Sequence, residues 1–524
     1  MTAPLFSVVT PVYNPPPAAL WECIESVRAQ TWTDWELVLV DDCSTDPRVG
    51  EVLRQAAGDS RVRVVRREAN GGIVAASNDG LAAARGQFVA LLDHDDLLEP
   101  EALDQVAAVL DDQVDYVYTD EDKLDAEGGH YEAFAKPDWS PERLRGQMYT
   151  GHLSVLRRSL VETVGGFRQE FEGSQDHDLA LRVTEAARVV VHVPQVLYHW
   201  RVVPSSTAGD ATAKPYAREA GRRAVEDHCA RVGIHASVTQ HPQFPGHYLL
   251  HREVAGEPVV SVVIPTRGSS GLVWGQRRVF VTDAVRSLLA HTDYPRLEVV
   301  LVVDAGFPAQ VRAELAELLG DRARWVEYDR AFNFSEKVNL GVLSSAGEVL
   351  LIVNDDIEML SDGWVETLVA LVQDPQVGLA GAKLFYADST VQHGGHTYHD
   401  GHLGHVWLGY PRDSPGEFGS LLINRECTGV TFACVAVRRD VYEEVGGLTE
   451  TLPSNFNDVD FCLKVQGLGL RAIWTPLVEA YHFESRSRER VVHAWEYDVV
   501  DRRWHYELLR DRYNPTSPLS DIIA

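Results

Sequence analysis

The sequence predicts an α/β protein built as two tandem copies of one unit, each with a mainly parallel sheet covered by helices. Three observations carry this expectation. Short β-rich apolar runs alternate with longer helical patterns, which implies βαβ units. The same ordered set of segments occurs twice. At 524 residues the chain also exceeds what one hydrophobic core usually serves.

The elements follow in order. SVVTPVY (7–13) reads as a strand, PAALWECIESVRAQ (17–30) as a helix, ELVLVDD (36–42) as a second strand and RVRVVRR (61–67) as a third. In such sheets ligands bind beyond the carboxyl ends of the strands. Asp42 and the acids of FVALLDHDDLLEP (88–100) fall at that edge. The repeat then supplies the second copy. Ser7–Pro11 returns as Ser261–Pro265, and the strand ending at Asp42 returns ending at Asp304. Asn78-x-Gly80, Gly86 and Asp95 return at one constant spacing as Asn339-x-Gly341, Gly347 and Asp356. Further on, VGGF (164–167) matches VGGL (445–448), and Asp176-x-Asp178 matches Asp458-x-Asp460. Each copy closes on a Tyr-His pair, Tyr198-His199 and Tyr481-His482, one residue farther from the acid in the second copy.

These matches set expected boundaries: a first domain over 1–236, a Pro- and Gly-containing linker over 237–258, a second domain over 259–484 and a helical extension over 485–524. In the extension Val491, Trp495 and Val499 recur at four-residue spacing, as do Val500, Trp504 and Leu508. Packing on the second domain is the preferred reading, with peripheral membrane contact near a lipid-linked acceptor as the alternative.

Composition excludes several functions. The apolar fraction is 45%, ordinary for a globular protein, and the formal charge of -29 opposes binding to nucleic acid or an anionic bilayer. No run of eighteen apolar residues occurs, and MTAPLFSVVTPVYN lacks the basic start of a signal peptide. A cytoplasmic protein is expected, at most at the inner face of the membrane. The six cysteines form no CxxC pair, which fits reduced thiols rather than zinc.

An Asp-x-Asp past a strand end can be structural, capping a helix or bracing a turn. Its recurrence in register favours a ligand role. Packed acids repel unless a cation lies between them, and magnesium is commonly held by one or two carboxylates plus substrate phosphates. Such an ion would also let a very acidic protein hold a diphosphate. The second copy reads IVNDDIEML, so Asn354 replaces Asp93 while Asp356 keeps the place of Asp95. The shared acid is the expected metal ligand. Asp93 and Asn354, each with an acceptor oxygen, are expected to contact the ribose or position the ligand.

The ordered set SVVTPVYN, VDDCSTD, NGGIVAASNDGLAAARGQFVALLDHDD, GSQDHDLALRV and LYHWR resembles the nucleotide-sugar glycosyltransferases of family 2, with the GT-A fold. The second set, SVVIPTRG, VLVVDAG, FNFSEKVNLGVLSSAGEVLLIVNDD, TGVTFACVAVRRDVYEEVGG, FNDVDFCLKV and YHFESRSR, resembles a rhamnosyltransferase-type branch of that family. The resemblance implies nucleotide-sugar contacts from Pro11, Tyr13, Asp42, Asn78 and Asp93, and from Thr266, Asp304, Asn339 and Asn354. It implies Mn2+ or Mg2+ on Asp95 and Asp356, with His199 and His482 completing the metal shell. A buried structural Tyr-His pair is the other reading of those histidines.

The catalytic base is assigned by resemblance to Asp176 and Asp458, each at a predicted helix start where an N-cap is the competing role. The second copy departs by Arg267 in the place of Tyr13 and Val303 in that of Asp41, and Gln175 and Asn457 stand where many members carry Glu. The implied function is a bifunctional inverting transferase that uses UDP-, dTDP- or GDP-sugars to build a surface polysaccharide or lipid-linked glycan. The alternatives are one active copy beside a glycan- or nucleotide-binding copy, and a wholly non-catalytic scaffold. A sugar-1-phosphate nucleotidyltransferase is disfavoured, because TPVYNPPP and PTRGSSG supply no Gly-rich basic loop.

Overall fold

The computed structural model describes residues 3–202, 215–483 and 492–515. Two compact units divide the chain, Met1–Leu250 and His251–Ala524.

In the first unit the strands are β1 (Phe6–Val12), β2 (Trp35–Asp41), β3 (Val62–Arg66), β4 (Phe88–Leu91), β5 (Leu97–Leu98), β6 (Val114–Leu124), β7 (His130–Phe134), β8 (Ser154–Arg157) and β9 (Val189–Arg201). Their order is β3-β2-β1-β4-β8-β6-β9-β5, with β7 beside β6. The β3-β2-β1-β4 block is parallel, as the alternation of strands and helices requires. β8 then enters antiparallel between β4 and β6, and β6 and β9 are again parallel. Val8, Leu37, Leu39 and Phe88 are buried on one face against Leu20, Ile24 and Val27 of the helix Pro17–Arg28. On the other face the helix Gly72–Ala83 lies so close that a Cβ on Gly80 would stand 2.4 Å from Val9 Cγ1. The repeated glycine of Asn-x-Gly is therefore a packing requirement. Gly341 meets Val263 Cγ1 at 2.5 Å in the same way.

The expected linker contains a two-stranded ribbon, β10 (Ala236–Gln240) with β11 (Tyr248–Arg252). The second unit then runs β12 (Val260–Thr266), β13 (Ser270–Val273), β14 (Gln276–Val279), β15 (Leu297–Asp304), β16 (Ala323–Tyr328), β17 (Val349–Val353), β18 (Ile357–Met359), β19 (Val377–Phe385), β20 (Val391–His393), β21 (His396–His399), β22 (His402–His405), β23 (Arg425–Cys427), β24 (Cys434–Arg438) and β25 (Arg471–His482). Its main sheet, β16-β15-β12-β17-β24-β19-β25-β18, repeats the first strand for strand. Two insertions distinguish it: the β13-β14 hairpin after the first strand, and the histidine-rich β21-β22 hairpin that follows β20, the counterpart of β7.

The helix Ala494–Trp504 buries Val500 with Tyr398, Leu452, Val459 and Leu463 of the second unit. Its Glu496 carboxylate accepts the backbone N–H groups of Ser454 and Asn455 at 3.2 and 3.0 Å. Residues 484–488 of the YHFESRSR segment quoted for the resemblance, and Val491 of the extension, lie outside the described residues. Among the described residues no helix is long and apolar enough to cross a membrane.

Candidate active sites

In the first unit the carboxyl ends of β1 and β4 open on a cleft lined by Pro11, Ser77, Asp93, His152, Gln175 and Asp176. Asp93 and the expected base thus share one space. The neighbouring acids have separate surroundings. Asp96 is buried, accepts the Tyr198 hydroxyl and accepts the Arg201 N–H at 2.7 Å. Burial, reinforced by Asp93, pushes its carboxyl up to about 8. Asp96 therefore ties the turn to β9. Burial also raises Asp95, with Asp93 adding to the effect and His94 opposing it.

Sequence reasoning missed His152, whose Nε2 lies 3.9 Å from Asp93 Oδ2. Burial opposes its charge, but Glu121 outweighs burial and carries the imidazole up to about 9. A cationic ring therefore faces Asp93 in the cleft. The second copy contains TGVTF where this one has TGHLS, so the repeat gave no signal for it.

In the second unit Asp356 and His482 come together. His482 Nε2 stands 3.2 Å from Asp356 Oδ1 and 3.2 Å from the Asn354 amide nitrogen. The other ring nitrogen, Nδ1, is 2.9 Å from Gln392 Oε1. A carbonyl oxygen can only accept, so Nδ1 carries the proton and the Nε2 lone pair faces the acid. An outer acceptor that fixes the tautomer is the usual support of a metal-ligating histidine. Asp355 is occupied differently: the Thr266 hydroxyl donates to it at 2.7 Å, and burial together with Asp356 lifts it to about 7.

His199 does not join Asp95, which corrects the expectation for the first unit. In the ladder of β18 and β25, Ile357 opposes His482, whereas in that of β5 and β9 Leu97 opposes His199. Asp96 is the counterpart of Ile357, so the residue matching His482 in space is Trp200. A strand alternates faces residue by residue, and a shift of one turns the side chain to the opposite face. Tyr198 and Trp200 pack on His152, with ring centroids 4.6 and 5.7 Å away. His199 instead sets Nδ1 2.6 Å from Asp122 and Nε2 3.0 Å from Glu99. Both nitrogens thus meet carboxylates.

Asn78 and Asn339 also depart from expectation. Asn78 accepts the Phe167 N–H and donates to the Phe167 carbonyl, both at 2.9 Å. Asn339 does the same with Leu448, both at 2.9 Å, and accepts the Tyr442 hydroxyl at 2.6 Å. The amides clamp the VGG turns, where Gly166 and Gly447 have φ of 66° and 71° and a Cβ would fall 2.7 Å from each Asn oxygen. A nucleotide would have to displace these bonds, so a turn clamp replaces the expected sugar-nucleotide contact.

Asp42 and Asp304 stand at the expected strand ends, each beside a cation. Asp42 pairs with Arg67 and accepts the N–H groups of Gly71 and Gly72 at 2.9 Å. Asp304 pairs with buried Lys337 at 2.7 Å, and Lys337 also donates to the Thr266 carbonyl at 3.1 Å. Tyr13 is 48% exposed, and the Pro11 carbonyl is 3.0 Å from His94 Nδ1.

The two expected bases begin the helices Gln175–Ala186 and Asn457–Gly467, but the N-cap positions belong to Ser174 and Phe456. Asp176 and Asp458 each accept the adjoining N–H, of His177 at 2.8 Å and Val459 at 2.9 Å. Burial raises the Asp458 carboxyl, while His405 and the Thr431 hydroxyl pull it down. The second acid of each Asp-x-Asp is braced elsewhere. Asp178 pairs with Arg182 and Arg168, and Asp460 accepts from Arg503 and Trp504 at 2.9 Å each.

The chain can be set beside known proteins on this geometry. It is 44% identical to the uncharacterised protein y4gI of Sinorhizobium fredii over 98% of its own length and 58% of that protein's. It is 38% identical to the O-antigen biosynthesis protein RfbC of Myxococcus xanthus, over 93% of this chain and 38% of that one. The chain thus spans well under two thirds of these relatives. The crystal structure of S. aureus TarS 1–349 aligns at 22% identity over 44% of this chain and 65% of that one, with a TM-score of 0.35. The profile described as Glycosyl transferase family 2 matches residues 7–165 and 261–446, one stretch in each unit. With two α/β sheets of one topology, both matched, the chain belongs to glycosyltransferase family 2 and carries two tandem GT-A domains.

Proposed function

We propose that the chain is a bifunctional inverting glycosyltransferase that passes sugars from nucleoside diphosphates to a growing surface polysaccharide or lipid-linked glycan. The observation that carries this reading is the pairing in the second unit of Asp356 with a His482 lone pair, on a sheet edge that also presents Asp458. This mixed oxygen and nitrogen donor set fits Mn2+ better than Mg2+, a harder ion that keeps to oxygen ligands. When bound, such an ion supplies positive charge to a diphosphate leaving group. In the first unit Asp95 offers the carboxylate without a counterpart of His482, and His152 brings a fixed cation beside Asp93 in the cleft.

The chain's own residues then divide the work. Asp176 and Asp458 take the proton of the acceptor hydroxyl as its oxygen bonds to the anomeric carbon and the bond to phosphate breaks. Asp93 and Asn354 position the donor. Asp42 and Asp304, each held by a cation, and exposed Tyr13 stand on the nucleotide side of their edges.

The test uses the full chain with UDP-, dTDP- and GDP-sugars, a lipid-extract acceptor and Mn2+, comparing wild type with Asp95→Ala and Asp356→Ala. Each variant should lose one sugar addition and keep the other. If either variant keeps both additions, the bifunctional reading fails, and turnover unchanged by EDTA refutes the metal assignment.

A further inference from the structure

Strand alternation gathers four chemistry-bearing side chains on one face of the first sheet, opposite the face that Tyr198 and Trp200 turn to His152. Asp122 and His199 are parallel neighbours on β6 and β9, His130 opposes Leu124 across the β6-β7 ladder, and Leu97 opposes His199 across the β5-β9 ladder. Paired residues point the same way and every second residue returns to that face, so Glu99, Asp122, His130 and His199 share it. The turn that leads into β7 is set by Asp125, whose carboxylate accepts the N–H groups of Glu127 and Gly129 at 3.0 and 2.7 Å.

The four groups are in direct contact. Asp122 Oδ1 lies 2.6 Å from His199 Nδ1 and Oδ2 lies 3.0 Å from His130 Nδ1, while Glu99 Oε1 lies 3.0 Å from His199 Nε2. The two imidazole centroids are 4.5 Å apart. An ionised carboxylate only accepts, and a neutral imidazole has one N–H and one lone pair. With a carboxylate at each nitrogen, a neutral His199 turns its lone pair to an anionic oxygen whichever tautomer it takes. Such a contact requires positive charge, either a second proton on the ring or a metal ion. A proton balances one of the two carboxylates, whereas a divalent cation balances both and also engages His130.

The spacing suits the metal. Ligand atoms of Asp122, His130 and His199 lie within 4.8 Å of one another. Donors about 2.1 Å from a tetrahedral ion stand about 3.4 Å apart, so small rotations of these side chains suffice, and Glu99 supplies the fourth donor of the usual structural shell. Asp122 and His199 are buried, while His130 and Glu99 are half-exposed and leave a way in. The imidazoles of His393, His396 and His405 are equally close in the second unit. There the Thr431 N–H donates to His393 Nε2 at 3.2 Å, which puts the His393 proton on Nδ1, 2.6 Å from His405 Nδ1, so a hydrogen bond already joins that pair.

We propose that Glu99, Asp122, His130 and His199 bind a Zn2+-class ion that pins β5, β6, β7 and β9 together behind the face turned to His152. This ion is separate from that of either active site. Two imidazoles with two carboxylates suit zinc, and Mn2+ binds such donors most weakly of the first-row divalent ions.

The test is Zn2+ binding to the full chain carrying Asp95→Ala and Asp356→Ala, which removes the expected acid ligands of both active sites. After EDTA treatment and dialysis against micromolar Zn2+, atomic emission should find one ion per chain, and Co2+ in its place should give the visible absorption of a four-coordinate nitrogen and oxygen site. His130→Ala, which removes a half-exposed side chain, should keep the wild-type circular dichroism and lower Zn2+ affinity at least ~10- to 100-fold. Zn2+ should raise the unfolding temperature of the parent chain and not that of His130→Ala. A chain that retains no Zn2+, or one that keeps it in His130→Ala and loses it in His405→Phe, overturns the proposal. So does correlation of 15N and 1H in the Zn2+-treated chain that shows His199 protonated on both nitrogens, because a proton then supplies the charge.

Discussion

His482→Ala, set against His199→Ala, tests the one-residue shift between the two sheets. His482 presents its Nε2 lone pair 3.2 Å from Asp356, with Nδ1 anchored on Gln392 at 2.9 Å. Loss of an outer support of a metal ligand typically costs 10- to 100-fold in affinity, and loss of the ligand itself at least that, or about 1.4 to 2.7 kcal/mol. The apparent Mn2+ constant of the second site should therefore rise by at least ~10- to 100-fold in His482→Ala, and by roughly tenfold in Gln392→Leu. His199 faces Asp122 and Glu99, so His199→Ala should leave the Mn2+ dependence of the first site unchanged while lowering stability, because two carboxylates lose a hydrogen-bond partner. Trp200→His puts an imidazole at the position matching His482 and should tighten Mn2+ at the first site. The assay is Mn2+ titration of sugar transfer in full-length chains with the other site silenced by Asp95→Ala or Asp356→Ala. Equal weakening of Mn2+ by His199→Ala and His482→Ala would refute the register argument.

Two further predictions concern the frame. Asn78→Ala leaves the N–H and C=O of Phe167 without their partner, at about 1–3 kcal/mol for each orphaned group. Denaturant unfolding should show that loss with an unchanged donor KM, whereas a raised KM at unaltered stability would restore Asn78 to the nucleotide site. Glu121, held well below the ordinary carboxylate range by Lys136 and His152 against the effect of burial, lies 3.0 Å from a fully buried Lys136 ammonium. A depressed acid contributes stability above its unfolded value near 4.5, which is lost as pH falls toward about 2. Glu121→Gln should therefore cost about 3–5 kcal/mol at neutral pH and flatten the acid limb of first-unit unfolding. Calorimetry showing the wild-type acid limb in the variant would count against it.

What the repeat made legible was chiefly the frame, and the physical reason lies in which residues recur. Ser7 and Ser261 accept the N–H of Gly86 and Gly347, both at 2.7 Å, and donate to Glu36 and Glu298. A Cβ on either glycine would fall within 2.6 Å of a backbone nitrogen. With the Asn-x-Gly helices and the clamped VGG turns, these explain why two diverged halves keep the same letters: the contacts fix a strand or turn in place and tolerate little else. The strand ends and the paired acids were therefore placed correctly on the sheet edge.

The two sites diverge where the halves differ, and a matched pattern is blind there. A dipeptide such as Tyr-His looks identical in both copies, yet one residue of spacing decides which face of the strand the imidazole occupies. His152 stands where the second copy has Val430, so only the folded sheet shows that it reaches Asp93. The same duplication that builds two equivalent frames thus leaves two unequal sites: a carboxylate with a histidine lone pair in the second, and a carboxylate with an imidazolium nearby in the first. A cation fixed in the protein and a cation taken from solution are alternative answers to one problem, holding a diphosphate on a chain of charge -29. The first site should therefore depend less steeply on Mn2+ than the second, and His152→Ala should make that dependence steeper.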